Sequence, residues 1–270
     1  MEEFGVDGVY LDGTEYPFGC CNTEHGCGSL RPDGGVAPSY PLFGVRSAMR
    51  RIYHAVWSRR PDGLVNVHNS TCMTIPTLGW ATSYWDGEQF QGIGKGADVG
   101  RLLPLDAFRA EFMGRQWGVP AEFLLAGAAY TYEQAWAFTL LHDVPVRPHR
   151  PGEDLDLVSR IWKVMDAFGR KEAEWLPYWR NEEYVRCAPK GAYVSLYRNP
   201  KNGALAVVSN LGGSEAEVRV ALNARRLGLK ASSLRVVDAL RNRPIPATGE
   251  GIRLRLKPLE WRLLWVRENA

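Results

Sequence analysis

The sequence is poor in the features that mark several large functional classes. Its five cysteines are an odd count, and Cys20, Cys21 and Cys27 crowd one stretch, so no evenly paired disulfide framework is readable. No Lys/Arg block is longer than the pairs Arg50-Arg51, Arg59-Arg60 and Arg225-Arg226, and 33 basic against 30 acidic residues leave a net charge of only +3 over 270 residues. Such a balance offers no footprint for a phosphate backbone, so nucleic acid is not expected as a partner. The longest apolar stretch, around Phe123 to Ala129, is far short of the roughly 20 residues a membrane span needs. There is neither a glycine-rich phosphate loop nor a Gly-x-Ser-x-Gly elbow, which removes dinucleotide hydride transfer and serine-hydrolase chemistry. Met1-Glu2-Glu3-Phe4 carries acid where a signal peptide has a basic region. No leader is read, and the compartment stays open. Repeats and low-complexity tracts are also lacking.

What is present is an ordinary globular composition, 45% hydrophobic and 23% charged, with 10 Trp and 11 Tyr. Several of these rings stand in loops beside polar residues, where flat amphipathic ligands such as sugars suit them. Up to about residue 150, strand-like runs alternate with helical ones, the pattern of parallel strands joined by crossover helices. Strands are expected at Val6 to Leu11, Leu64 to His68, Gly79 to Tyr84, Ala121 to Ala126 and Val144 to Val146. Apolar spacing of three and four residues predicts helices over Leu42 to Arg60, Leu105 to Trp117, Tyr132 to His142 and Leu155 to Glu174. From about residue 183 short runs of alternating polarity, separated by Gly/Pro/Asn turns, read as a small antiparallel β-sandwich. The expected division is therefore 1–182 and 183–270. A complete (β/α)₈ barrel takes about 250 residues, more than the first part holds, so a partial barrel is expected, and the missing upstream part of the same barrel is a candidate partner.

Two acidic strand ends carry the chemistry. Gly5-Val-Asp-Gly-Val-Tyr-Leu-Asp12 ends in Asp12, with Glu15 just beyond, and Ser83-Tyr-Trp-Asp-Gly-Glu88 delivers Asp86 and Glu88 beside Tyr84 and Trp85. In parallel α/β folds the carboxyl ends of strands form the active-site mouth. Paired carboxyls there are what glycosidic cleavage requires, one to stabilise or attack the anomeric centre and one to protonate the leaving oxygen. Asn66 and His68 alternate onto one face of the strand between them and suit sugar hydroxyls. Structural alternatives stand beside each: Asp12 as a turn cap, Asp86 and Glu88 as loop caps or partners of Arg101 or Arg109, and His68 and His142 as satisfied core or rim histidines. Cys20, Cys21, His25 and Cys27 are adequate zinc donors, giving a metal-dependent hydrolase as a third reading. Their spacing fits no common zinc template and adjacent cysteines strain a shared metal, so no metal or other cofactor is expected.

At these residues the chain resembles the clan of retaining α-type glycoside hydrolases that includes α-galactosidases, and more closely glycoside hydrolase family 123-like proteins. The resemblance rests on Val9-Tyr-Leu-Asp-Gly-Thr14, Ser70-Thr-Cys-Met-Thr-Ile-Pro76, Ser83-Tyr-Trp-Asp-Gly-Glu88 and Glu260-Trp-Arg-Leu-Leu-Trp-Val266. It implies the second half of a barrel, about strands 4 to 8, followed by a β-sandwich. It also implies a carbohydrate substrate, with Asp12 as nucleophile or stabiliser and Asp86 as acid/base; from their placement at the strand ends, Glu15, Asn66, His68, Tyr84 and Trp85 are expected to bind the sugar. Family 123 enzymes resemble substrate-assisted N-acetylgalactosaminidases with an adjacent Asp-Glu pair. Here the acids are spaced Asp12-Gly-Thr-Glu15 and Asp86-Gly-Glu88, which leaves Glu88 as an alternative acid. An inactive or carbohydrate-binding fragment of such an enzyme is the rival reading.

Overall fold

The computed structural model describes residues 3–13, 17–70, 73–148, 152–248 and 251–268. The chain divides into two compact units, Met1–Gln89 with Gly114–Glu122 and Phe90–Met113 with Phe123–Ala270.

In the first unit, β1 (Gly8–Leu11) runs parallel to β2 (Leu64–His68), which runs parallel to β3 (Ser83–Asp86). The β2 strand forms where its alternation predicts. β3 is displaced: the expected run from Gly79 begins only at Ser83, because Pro76 opens a helical turn, Ile75–Leu78, that Gly79 caps. Proline is well tolerated in a first helical turn, where its missing N–H has no intrahelical partner to lose. Helix α1 (Leu42–Trp57) supplies the crossover from β1 to β2 and buries Met49 and Val56. It stops three residues before the predicted Arg60, in keeping with the bias of residues before proline, here Pro61, against helical backbone. β1 lies so close to β2 that a Cβ on Gly8 would sit 2.1 Å from the Leu64 carbonyl oxygen. Only glycine fits there.

Strand β4 (Ala121–Leu124) belongs to both units, two residues to each. Beside it, Tyr84 N–H donates to Pro120 O at 3.0 Å, and its last two residues pair in parallel with β5 (Val146–Arg147). Within the first unit the order is β1-β2-β3. Five parallel strands were expected and five form, with no closed barrel among the described residues.

In the second unit, α2 (Leu105–Glu111), α3 (Tyr132–Thr139) and α4 (Glu153–Phe168) are each shorter than predicted. α4 ends where Gly169 takes a left-handed conformation, φ 73°, which glycine adopts without a Cβ penalty. α3 starts on a capping box made by Thr131 and Gln134. The antiparallel region follows in two sheets. One contains β6 (Glu174–Leu176), β8 (Ala192–Asn199), β9 (Gly203–Asn210), β11 (Leu234–Asp238), β12 (Arg243–Ile245) and β15 (Trp261–Glu268), in the order β12-β11-β15-β9-β8-β6. The other orders β13 (Ala247–Thr248), β14 (Gly251–Leu256), β10 (Ala216–Leu222) and β7 (Val185–Ala188) as β13-β14-β10-β7. Their inward residues, among them Leu196, Ala206, Val218, Leu254 and Leu264, form one buried apolar cluster. This is sandwich packing.

His142 proves to be a core histidine. Its Nδ1 lies 2.6 Å from Phe138 O and its Nε2 3.4 Å from the Tyr178 hydroxyl. The neutral ring with a proton on Nδ1 satisfies both, since the carbonyl can only accept. Burial holds the folded pKa down to about 4, against an ordinary value near 6.5. As pH falls, the unfolded chain takes the proton first. Stability from this residue is therefore complete above about pH 6.5 and lost through the window down to about 4, in all about 3 kcal/mol. His142→Gln should flatten the fall in urea midpoint between pH 7 and 4.5 relative to wild type. Parallel curves for the two proteins would refute the assignment.

Candidate active site

The site is built on the carboxyl ends of β1, β2 and β3. Register places Tyr10 opposite Asn66 and Asn66 opposite Ser83, with His68 opposite Trp85 one step on. Because side chains alternate along a strand, Tyr10, Asn66, His68 and Trp85 share one face. Val65, Val67, Tyr84 and Asp86 take the other, and all four are buried. The sheet thus separates a polar, aromatic face from an apolar one.

On the polar face one imidazole joins two carboxylates. His68 Nδ1 is 3.3 Å from Asp12 Oδ1, and His68 Nε2 is 3.2 Å from Glu88 Oε2 and 2.7 Å from Ser70 Oγ. With its proton on Nδ1 the ring donates to Asp12 and can accept from the Ser70 hydroxyl at Nε2; doubly protonated, it also forms an ion pair with Glu88. The acids remain open to solvent while the ring does not: side-chain exposure is 66% for Asp12, 48% for Glu88 and 11% for His68. Gly87, at φ 140°, turns the chain after β3, and Glu88 N–H then donates to Ser70 Oγ at 3.1 Å. Ser70 therefore fixes both the ring and the backbone of the acid. Beside them Tyr10 stacks on Trp85 at 4.2 Å between centroids, 14° from parallel, and Trp85 stands 5.4 Å from His68.

Of the residues expected from sequence, the structure brings Asp12, His68, Glu88 and Trp85 together. Asn66 lies on the same face and donates to Ser83 Oγ at 2.6 Å, while its Oδ1 is buried with no partner among the described residues. Asp86 is 1% exposed and accepts from Gln89 Nε2 at 2.8 Å. Tyr84, expected to touch sugar, is instead a core residue, fully buried on the apolar face with Val65 and Val67; strand alternation requires this once Trp85 faces the cleft. Glu15 lies outside the described residues. Sequence reasoning missed Ser70 and Tyr10. Tyr10 stands two residues before Asp12, so period-two spacing would have found it, whereas Ser70 lies past the end of β2 and carries no such signal. His142 and Asp143 belong to the second unit's core. Apart from this constellation, Cys20, His25 and Cys27 are placed to hold a metal ion.

Residues 158–242 match the family model for the C-terminal domain of glycoside hydrolase 123. No curated protein sequence matches the chain. Among solved structures, a family 27 β-L-arabinopyranosidase from Geobacillus stearothermophilus is similar with a TM-score of 0.52 and 11% identity, over 86% of this chain and 56% of that one. α-Galactosidase I from Mortierella vinacea gives 0.51 and 12%, over 100% and 70%. A maltogenic α-amylase from Thermotoga neapolitana gives 0.52 and 10%, over 92% and 71%. The chain thus spans little more than half the length of the arabinopyranosidase. At such identities the likeness is one of fold, that of barrel glycosidases followed by a β domain. The family match lies in α4 and the antiparallel sheets, so it says nothing of Asp12, His68 or Glu88.

Proposed function

We propose that the chain contributes the acid-bearing part of a glycosidase active site. The observation that carries this reading is the bridge from Asp12 through His68 to Glu88 on the open face of the sheet, next to an aromatic platform. Asp12 stabilises or activates attack at the anomeric carbon, and Glu88 protonates the leaving oxygen. Asp86 was the acid first expected at this strand end. Its burial favours a positioning role, through Gln89, for the turn that presents Glu88. His68 and Ser70 hold the two acids in place. The Tyr10–Trp85 stack offers a flat apolar surface to one face of a sugar ring. The family match and the fold likeness support the same reaction class.

The separation of the Asp12 and Glu88 carboxyls decides the stereochemistry: roughly 5–5.5 Å gives retention, and about 6.5–9.5 Å, which leaves room for a water, gives inversion. The outer edge of β1 pairs with nothing among the described residues, and Val6 and Tyr10 beside it are exposed. An unpaired edge of this kind accepts a further strand, and we assign it to the upstream strands of a completed barrel.

The test is hydrolysis of a panel of aryl α- and β-glycosides, with proton NMR of the first-formed anomer and calorimetric titration of the corresponding sugars. Turnover supports the reading, with the first-formed anomer telling retention from inversion, and Trp85→Ala should weaken sugar binding by about fivefold, in line with roughly 1 kcal/mol for an aromatic contact. Binding without turnover would favour a carbohydrate-binding role. Neither binding nor turnover, with β1 supplied its upstream strands, would refute both.

A further inference from the structure

The segment between β1 and α1 gathers three soft donors from residues that look badly spaced in sequence. Cys20, His25 and Cys27 each offer one ligand atom, and these atoms all lie within 4.8 Å of one another; Cys20 Sγ and His25 Nε2 are 3.3 Å apart. With zinc bonds of about 2.0–2.3 Å, the vertices of a tetrahedron fall within about 4 Å of each other. The cluster is already close to that arrangement. Its scaffold is ordered by the backbone. Cys20 forms a two-way bridge with Ser39, N to O at 2.9 Å and back at 3.0 Å. His25 closes a short 3₁₀ turn capped by Asn22, and Cys27 N–H donates to Asn22 O at 3.0 Å.

The spacing that argued against a metal is resolved by direction. In an extended stretch neighbouring side chains point opposite ways, and Cys21 does turn aside, its Sγ 3.8 Å from Val36 O. Only one of the adjacent pair joins the cluster. We propose that Cys20, His25 and Cys27 form a zinc site with a solvent molecule in the fourth position. Two thiolates and an imidazole suit a borderline-soft, redox-inert ion better than a hard one. On binding, Zn–S bonds form to both cysteines and two thiol protons pass to solvent. The ion would staple the long segment that follows Asp12, independently of what the acids do.

The site is tested on the whole chain by metal analysis after dialysis and by cobalt substitution, which reads thiolate ligation through near-ultraviolet charge-transfer bands. Wild type and Cys21→Ser should both hold about one ion per chain and show the cobalt–thiolate bands. Cys20→Ser, Cys27→Ser and His25→Ala should fall to background, and His25→Cys, which restores a donor, should recover the ion. Far-ultraviolet circular dichroism confirms that each variant is folded. Metal at background in wild type with these thiols free, a Cys20–Cys27 disulfide, or an ion retained in Cys20→Ser would each overturn the proposal. None of these readouts depends on glycosidase activity.

Discussion

Asp12→Asn should lower turnover of aryl glycosides by at least about a thousandfold, and Glu88→Gln by about a hundred- to ten-thousandfold, with opposite sensitivities to the leaving group. A residue acting at the anomeric centre is needed whatever departs, so the loss at Asp12 should be uniform across the panel. An acid is needed only where the departing oxygen is basic. The loss at Glu88 should therefore be small for dinitrophenyl glycosides and large for alkyl or disaccharide substrates. The same comparison separates the two carboxyls after β3. Asp86 is buried and bonded to Gln89, so Asp86→Asn should lower activity evenly across leaving groups and also reduce stability. If instead Asp86→Asn shows the leaving-group dependence and Glu88→Gln does not, the acid has been misassigned. Full activity in Asp12→Asn and Glu88→Gln alike would remove the site altogether. His68→Gln is informative beside them. The amide carries its N–H donors on a single nitrogen and cannot reach both Asp12 and Glu88, so the fall in kcat should exceed any rise in KM, as expected when geometry and not binding is lost.

How far this site was legible in the sequence depends on which physical signal each residue carries. Asp12 and His68 were readable because β1 and β2 are short runs with clear ends, and strand ends are where parallel sheets place chemistry. Glu88 and Asp86 were visible as a pair, but their order of importance was not, since β3 was expected to begin at Gly79. Once β3 is set at Ser83–Asp86, alternation alone sends Tyr84 and Asp86 to one side and Trp85 to the other. The error in the boundary came from Ile75–Leu78, a single turn too short to show helical periodicity. Ser70 carries no signal of its own: its role arises from a turn at Gly87 that brings Glu88 back across the sheet. The antiparallel part was legible as a β-sandwich, because its runs alternate and its turns hold Gly, Pro and Asn, although short strands such as Glu174–Leu176 and Ala247–Thr248 are too brief to show that alternation. Residues 20 and 21 show the reverse case. Spacing suggested a conflict between two cysteines that the local extended backbone removes.

Asp143→Ala should cost about 4 kcal/mol, the sum of a broken polar network and a backbone penalty. Asp143 Oδ1 accepts from Tyr197 O–H at 2.7 Å and from Arg170 Nε at 2.9 Å, with Arg170 Nη2 donating to the same oxygen. Tyr197 is wholly enclosed, and burial together with the adjacent carboxylate holds its hydroxyl well above its usual pKa. Removing the carboxylate strands that hydroxyl without its acceptor and leaves a guanidinium without its charge partner. For a fully buried pair the loss runs to roughly 3–5 kcal/mol, and the Arg170 side chain, still 39% exposed, brings it to the lower end. The remainder comes from the backbone. Asp143 sits at φ 61° at the end of a 3₁₀ turn, a conformation that aspartate tolerates better than alanine, by about 1 kcal/mol. The two parts separate experimentally. Asp143→Gly removes the network but relieves the backbone, so it should be about 1 kcal/mol more stable than Asp143→Ala. Asp143→Asn keeps an acceptor for Tyr197 and the tolerance for positive φ, and should lose the least. At roughly 2–4 °C per kcal/mol for a unit of this size, thermal unfolding followed by circular dichroism resolves all three. An Asp143→Ala midpoint within about 2 °C of wild type would show that the network is ornamental and that the core around His142 stands without it.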